Sequence, residues 1–419
     1  MKVVVVGQGY VGLPVAMRAV KVGHDVIGFE KNLARVERLA SGDSFVEDVE
    51  SSELKGALSG GRYQITNEIS KIADFDVLVI TVPTPLRDGA PDLTYIEDSA
   101  VEVAPYIKTG ATVILESTTY PGTTDELLVP LLCQGSSLKA GEDFYVGFSP
   151  ERIDPGNPRF NFVNTPKVVS GINERSLDAV KAFYESIVDQ VVPVKGCREA
   201  ELAKLLENTF RHVNIALVNE LAMYANDLKI DIWDVIDAAS TKPFGFMRFT
   251  PGPGVGGHCL PIDPSYLSWH VEQSLNRAFR FVELANDVNE HMPNYVVNRL
   301  MLSLNKRKKS LNGSSILLLG LAYKKNSGDA RESPAVHIAE QLVEMGAGVR
   351  IVDPLVIQEF GQIDGTVFVE LNSSEVSQAD VVVLLTDHDA FDYEMVAREA
   401  THIFDSRNKF PRQSNIEVL

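Results

Sequence analysis

One cysteine stands in a loop suited to covalent chemistry. Cys259 follows Gly-Gly-His in TPGPGVGGHCLPIDP (250–264), and Asp263 comes four residues later. The glycines let the backbone close on a ligand, the prolines stiffen the loop, and a thiolate nucleophile needs such a pre-organised polar setting. A lone cysteine is otherwise an inert core residue, so a nucleophile and a structural thiol both remain open on these residues alone. His258 could tune the thiol, but it is better suited to a structural role.

Polar residues on a predicted helix and at predicted strand ends could assist that cysteine. Lys204 and Asn208 are four residues apart and share a helical face, from which both could donate hydrogen bonds to an oxyanion. The alternative is that both are solvated surface residues. Thr118 and Glu151 follow predicted strands, and open α/β sheets bind ligands at the carboxyl ends of their strands. We therefore expect both at an active site.

The first residues form a phosphate-binding pattern. VVVVGQGYVG (3–12) places Gly7, Gly9 and Gly12 between a strand and a helix. The first glycine permits a tight turn, the second admits a pyrophosphate, and the third lets the helix pack on the strand. The pattern predicts a dinucleotide site, and the alternative is a glycine turn in a domain without a cofactor.

The acidic residue at the end of the second predicted strand favours NAD over NADP. Glu30 would bind the adenosine ribose hydroxyls and repel a 2′-phosphate. Lys31 and Arg35 lie nearby in sequence and could offset that repulsion.

Alternating short apolar runs and helical patterns predict two α/β segments around a helical segment. The predicted strands are Val3–Val6, Asp25–Gly28, Val77–Val82, Ala111–Glu116, Phe144–Phe148, Ser315–Gly320, Gly348–Asp353, Val381–Thr386 and Ile403–Asp405. A helix of 30 or so residues is expected within 199–239, and helical character returns over 265–308. We expect domains at 1–198, 199–308 and 309–419, and a mobile segment in the last ten residues.

Composition excludes several classes of function. The chain has 419 residues, 45% of them hydrophobic, and a formal net charge of −18, which disfavours nucleic-acid and anionic-membrane partners. No apolar run reaches the roughly 18 to 20 residues of a membrane span. The three cysteines lack CxxC spacing, so we expect reduced thiols, no metal site and a cytoplasmic protein.

Together these segments resemble the UDP-glucose/GDP-mannose dehydrogenase family over nearly the whole chain. The matching motifs are GQGYVGLP (7–14), VPTP (82–85), ESTTYPGTT (116–124), SPERIDPG (149–156), AKLLEN (203–208), GPGVGGHCLPIDP (252–264) and LAYKKNSGDARESP (321–334). The resemblance implies two Rossmann-like doubly wound parallel-sheet domains joined by a central long-helix domain. It also implies NAD as cofactor, a nucleotide sugar bound by the C-terminal domain, and a homodimer formed through the central one.

The family reaction implies roles for the matching residues. The sugar C6 hydroxyl is oxidised twice, and Cys259 carries the thiohemiacetal and then the thioester before water releases the uronate. Lys204 and Asn208 would stabilise the C6 oxyanion. Asp263, with Thr118, would hold a proton-accepting water. Glu151 would assist thioester hydrolysis.

The resemblance also implies two sets of binding residues. Those for NAD are Gly7, Gly9, Tyr10, Val11, Gly12, Glu30, Lys31, Arg35, Pro83, Thr84 and Thr118. Those for the nucleotide sugar are Glu151, Arg152, Lys204, Asn208, Arg248, Phe249, Gly256, Lys324 and Arg331. Arg331 would grip the diphosphate, and Arg248 would reach the site of the partner subunit.

The segment 256–269 is similar to the branch that oxidises UDP-N-acetylhexosamines, and UDP-glucose remains the alternative substrate.

Two other classes of function are possible. A β-hydroxyacid dehydrogenase of the 6-phosphogluconate type would need no nucleophilic cysteine and no second α/β unit. A non-catalytic nucleotide-sugar sensor is a third hypothesis. Such a protein would be expected to lose some of Lys204, Asn208, Cys259 and Asp263, yet all four are present.

Overall fold

The computed structural model describes residues 1–46, 48–87, 89–153, 157, 159–257, 260, 262–356 and 363–419. The chain divides into two compact units. The first comprises Met1–Glu207 and Ser265–Ser274, and the second comprises Asn208–Pro264 and Leu275–Leu419.

The first unit is built on a six-stranded parallel sheet in the order β3-β2-β1-β4-β7-β8. Its strands are β1 (Lys2–Val6), β2 (Asp25–Phe29), β3 (Tyr63–Thr66), β4 (Val77–Ile80), β7 (Thr112–Leu115) and β8 (Tyr145–Phe148). Two small pairs accompany it, namely β5 (Leu86–Arg87) with β6 (Ala90–Pro91) and β9 (Lys167–Val169) with β10 (Val191–Pro193). Its helices are α1 (Gly12–Lys21), α2 (Leu33–Ala40), α3 (Ser51–Ser59), α4 (Thr94–Val103), α5 (Val129–Ser136) and α6 (Glu174–Ile187).

The second unit contains a second six-stranded parallel sheet, in the order β13-β12-β11-β14-β15-β16. Its strands are β11 (Ser315–Leu319), β12 (Gly348–Val352), β13 (Thr366–Phe368), β14 (Val381–Leu384), β15 (Ile403–Asp405) and β16 (Ile416–Val418). The helices that accompany these strands in the described part of the unit are α11 (Pro334–Glu344), α12 (Ser373–Gln378) and α13 (Tyr393–Glu399). Both sheets have the strand order of a doubly wound dinucleotide-binding fold.

In the described residues, four helices lie between the sheets in sequence, α7 (Cys197–Leu228), α8 (Ile232–Ser240), α9 (Asp263–Leu275) and α10 (Arg280–Lys306). The helix of 30 or so residues expected within 199–239 is confirmed by α7, which has 32 residues, and α8 follows it after a break. Lys229 adopts a left-handed φ of 61°, which ends α7. The side chain of Asp231 then caps α8 by accepting from the Trp233 N–H at 3.0 Å.

The expected fold class is confirmed, since two parallel sheets flank a long-helix region in sequence. The predicted strands were those with uninterrupted apolar runs, such as β1 and β11, whose residues are almost completely buried. The expected mobility of the last ten residues is wrong. Residues 416–418 pair with β15 in the second sheet, and Glu417 forms an ion pair with Arg299 at 2.7 Å.

Within the described residues, no helix combines the length and the apolar character that a membrane crossing requires.

Two glycine substitutions test the packing of the first unit. A Cβ at Gly12 would lie 1.9 Å from the Gly7 carbonyl oxygen, so Gly12→Ala should lower the free energy of unfolding by more than about 2 kcal/mol. The helical and exposed Gly56 has open space around it, so Gly56→Ala should raise it by about 0.5–1 kcal/mol. Urea denaturation followed by circular dichroism measures both, and equal effects would contradict the packing described.

Candidate active site

The glycine loop after β1 leaves room for a pyrophosphate. Gly7 has a φ of 88°, and a Cβ there would lie 2.8 Å from the Thr81 carbonyl oxygen. A Cβ at Gly9 would meet nothing within 4 Å. The loop therefore presents open backbone at Gly9, while its two neighbours fix the turn and the start of α1. These residues fit a dinucleotide, whose phosphates would face the positive end of α1.

Glu30 follows β2 and is anchored beside this loop. Its side chain is nearly buried, and its Oε2 accepts a hydrogen bond from the Gln8 N–H at 3.0 Å. Lys31 pairs instead with Glu102 at 2.8 Å, and Arg35 approaches the Glu30 carboxylate only to 3.8 Å. The negative charge of Glu30 is therefore the main charge at this position, and it favours ribose hydroxyls over a 2′-phosphate.

The other residues expected to bind NAD lie on the loops after β1 and β4. Tyr10 is 46% exposed, Val11 is half-buried, Pro83 is exposed and Thr84 is half-buried. The carbonyl of Thr84 accepts a hydrogen bond from the hydroxyl of Tyr266, whose side chain is completely buried. Tyr266 therefore fixes the backbone of the VPTP segment.

The loop that carries the half-buried Thr118 is tied down by a buried carboxylate. Glu201 accepts hydrogen bonds from the N–H groups of Gly122 at 2.6 Å and Thr124 at 2.9 Å, and from the Thr124 hydroxyl at 2.7 Å. Burial raises the pKa of Glu201 to about 7, although these hydrogen bonds oppose that effect. Segment 116–124 is therefore anchored to α7 by one side chain.

Lys204 and Glu151, both predicted to be catalytic, are brought together. The Lys204 ammonium donates to the carbonyl oxygen of Glu151 at 2.6 Å. Arg152 is held by both oxygens of Glu207, at 2.6 and 3.2 Å, and donates to the Pro166 carbonyl at 2.7 Å. Arg152 thus joins α7 to the segment that follows β8.

In the second unit, the predicted catalytic residues Asn208 and Asp263 are paired. The Asn208 amide donates to Asp263 Oδ2 at 2.5 Å, and both side chains are buried. An amide carries two N–H donors, so one stays available for another acceptor.

The predicted nucleophile Cys259 and its neighbour His258 lie outside the described residues. The glycines before them pack against the segment that carries Lys324 and Arg331. A Cβ at Gly256 would lie 2.5 Å from the Glu332 carbonyl oxygen, and one at Gly257 would lie 2.6 Å from the Tyr323 ring. Only glycine permits this approach.

Three predicted sugar-binding side chains are partly engaged by neighbours. Arg331 forms a two-point contact with Asp329, at 2.9 and 2.6 Å, and its side chain is half exposed. Arg248 pairs with Asp237 at 2.5 Å and is 43% exposed. The Phe249 ring packs on the edge of Phe210 with centroids 5.8 Å apart.

Sequence reasoning missed a chain of buried amides that holds the start of the cysteine loop. Asn219 Oδ1 accepts from the Gly252 N–H at 2.9 Å, and Asn219 Nδ2 donates to Asn289 Oδ1 at 2.9 Å. The amide of Asn289 reaches His212, which pairs in turn with Asn286 at 2.7 Å. The sequence signal that could have indicated this chain is asparagine at helical positions that become buried, because a buried amide requires hydrogen-bond partners.

The fold and the loops of the first unit define a class of protein. A parallel sheet with an open glycine loop after its first strand and a carboxylate after its second is the architecture of a dinucleotide-dependent oxidoreductase. The chain matches three domains described for the UDP-glucose/GDP-mannose dehydrogenase family: the NAD binding domain over residues 1–188, the central domain over 198–291 and the UDP binding domain over 317–412. The chain belongs to this family and is an NAD-dependent nucleotide-sugar dehydrogenase.

Individual relatives match along nearly the whole chain. UDP-N-acetyl-D-mannosamine dehydrogenase of Pyrococcus horikoshii is 34% identical over 414 residues, which cover 97% of this chain and 96% of that protein. UDP-N-acetyl-D-glucosamine 6-dehydrogenase of Pseudomonas aeruginosa is 38% identical over 361 residues, covering 86% and 84%. The solved structure of the Pyrococcus horikoshii UDP-D-ManNAc dehydrogenase matches with a TM-score of 0.89 at 33% identity, covering 100% of this chain and 99% of that chain.

The raised pKa of Glu201 predicts a pH dependence of stability. The pKa of Glu201 is about 7 in the folded protein and ordinarily 4.5. Between these two pH values the folded state therefore binds more protons than the unfolded state. The stability linked to this proton is present below pH 4.5 and is lost as the pH rises through the folded pKa. The melting temperature of Glu201→Gln should therefore fall less than that of the wild type between the two pKa values. The exposed Glu199→Gln is the control, and parallel slopes for all three proteins would refute the assignment.

The amide chain predicts that the cysteine loop depends on Asn219. Asn219→Ala leaves the Gly252 N–H buried without an acceptor, which costs about 1–3 kcal/mol, and turnover should fall. The dissociation constant for NAD should not change, because the glycine cradle lies in the other unit. Asn214→Ala on the same helix removes only a bond to the Phe210 carbonyl and serves as the control. Turnover of Asn219→Ala equal to that of this control would contradict the expectation.

Proposed function

We propose that this enzyme oxidises the C6 hydroxyl of a UDP-N-acetylhexosamine to a carboxylate with two molecules of NAD. The observation that carries the proposal is the match along nearly the whole chain to proteins named for UDP-N-acetyl-D-mannosamine and UDP-N-acetyl-D-glucosamine. The segment 256–269, GGHCLPIDPSYLSW, supports the same branch. UDP-glucose is the alternative substrate.

The proposed division of labour follows the three segments. Residues 1–198 bind NAD, residues 199–308 contain the cysteine loop and the subunit contact, and residues 309–419 bind the nucleotide sugar. NAD supplies the hydride acceptor in both oxidation steps. The chain itself must position the sugar, hold the oxidised carbon and manage protons.

In the proposed reaction the C6 alcohol first loses a hydride and a proton, which gives an aldehyde. The thiolate of Cys259 adds to the aldehyde carbon and forms a thiohemiacetal. Loss of a second hydride and a proton gives a thioester. Water then displaces the thiolate, which releases the carboxylate and regenerates the enzyme.

The proposed roles of the other residues rest on their chemistry. Lys204 carries a positive charge, and Asn208 keeps one N–H while its other N–H binds Asp263, so both can stabilise the C6 oxyanion. Asp263 and Thr118 hold the water that accepts protons. Glu151 assists hydrolysis of the thioester.

We further propose a cytoplasmic homodimer. The exposed face of α7 carries a stripe of large apolar side chains at helical spacing, namely Leu217, Leu221, Tyr224 and Leu228, which are 44–69% exposed. Soluble monomers seldom leave such a stripe in water. A second copy of the chain is the proposed partner, and Arg248 would contribute to its site.

Substrate preference tests the proposal. With NAD in excess, kcat/KM should be at least roughly tenfold higher for UDP-N-acetylmannosamine or UDP-N-acetylglucosamine than for UDP-glucose, because the pocket must accommodate the N-acetyl group. A preference for UDP-glucose would overturn the choice of branch.

Two cysteine variants test the covalent step, one at the proposed nucleophile and one as its control. Cys259→Ser should lose nearly all uronate formation, whereas Cys133→Ser should retain it. Near-normal uronate formation by Cys259→Ser would contradict the thioester.

A further inference from the structure

A buried ammonium lies behind the candidate catalytic residue Glu151. Lys167 opens β9 and is 3% exposed. Its Nζ contacts Glu116 Oε1 and lies 3.1 Å from Glu151 Oε2. The rings of Phe162 and Tyr184 each lie 5.3 Å from the ammonium. The position brings one cation and two carboxylates together in the interior.

The contacts leave the Glu151 carboxylate with little freedom. Its Oε1 accepts hydrogen bonds from the N–H groups of Arg152 at 2.7 Å and Ile153 at 2.6 Å. These two bonds occupy both lone pairs of Oε1. Oε2 accepts from Lys167, and the described part of the chain gives it no second donor. One acceptor position on Oε2 is therefore left for a molecule in the site.

Glu116 keeps the ammonium in place. It is 1% exposed, and its Oε1 also accepts from the Tyr184 hydroxyl at 2.8 Å. Burial alone would lower the pKa of Lys167, but the carboxylates of Glu116 and Glu151 outweigh burial and raise it. Lys167 is therefore a permanent cation. Its loss would leave Glu151 facing Glu116 without compensation.

We propose that Lys167 is a positioning residue, which holds the Glu151 carboxylate turned so that Oε2 orients the water that hydrolyses the thioester. This inference rests on the proposed function. Lys167 lies in none of the sequence motifs, so motif spacing does not indicate this role. Under the proposal, Lys167 acts on the last chemical step and not on the two oxidations.

The charged and titratable groups around Glu151 come from several elements. Glu116 follows β7, Lys167 opens β9 and Tyr184 belongs to α6. On α7, Lys204 donates to the Glu151 carbonyl, while Glu207 is neutralised by its ion pair with Arg152. Lys167 is thus the cation that directly contacts the carboxylate of Glu151 among the described residues.

The test is Lys167→Met in the full-length enzyme, with NAD and UDP-N-acetylmannosamine or UDP-N-acetylglucosamine. Turnover should fall roughly tenfold or more, and intact-protein mass spectrometry after an acid quench should reveal accumulated acyl-enzyme. Lys181→Met on α6 is the control, since the Lys181 side chain is 42% exposed and its ion pair among the described residues is with Glu185; it should leave turnover unchanged and accumulate no acyl-enzyme.

A second variant addresses the case in which Lys167→Met does not fold. Lys167→Met combined with Glu116→Gln leaves no buried charge between the two positions, and it should also accumulate acyl-enzyme. A folded variant that slows without accumulating acyl-enzyme would overturn the positioning role. A wild-type enzyme inactive with both sugars would instead refute the proposed function, so the two failures are distinguishable.

Discussion

Parallel pairing of the strands constrains where this protein can do chemistry. Because all six strands of the first sheet run the same way, every loop that follows a strand emerges at one edge. The glycine loop follows β1, VPTP follows β4, the Thr118 segment follows β7 and the Glu151 segment follows β8. The direction of the strands alone therefore brings segments more than a hundred residues apart in sequence to one edge of the sheet.

That edge needs anchors, since loops carry unpaired backbone groups and few apolar contacts. Buried polar side chains provide them in the first unit. Glu201 holds the Thr118 segment, Tyr266 holds the Thr84 carbonyl, and Lys167 holds Glu151. Burying these polar groups would cost free energy if they lacked hydrogen-bond partners, and each of them has one. The second unit uses the same device, with Asn219 holding Gly252.

The sequence predicted the features that arise from local chemistry. Glycine spacing at 7–12, apolar strands and the acidic Glu30 depend on neighbours within a few residues, so a pattern suffices to find them. The break at Lys229 was missed because only a left-handed φ marks it, and lysine has no special preference for that conformation. The short strand 416–418 has no long apolar run, and its pairing with β15 is a tertiary contact. The partners of Lys167 and Asn219 lie 16 to 70 residues away, beyond the reach of spacing arguments.

The proposed mechanism requires a four-electron oxidation at one carbon, and the yield of NADH measures this directly. Purified enzyme would be incubated with excess NAD and a limiting amount of UDP-N-acetylmannosamine or UDP-N-acetylglucosamine, and the reaction followed to completion by near-ultraviolet absorbance. The proposed mechanism predicts two NADH formed for each sugar consumed, with a uronate as product. One NADH for each sugar, with the aldehyde released, would contradict it.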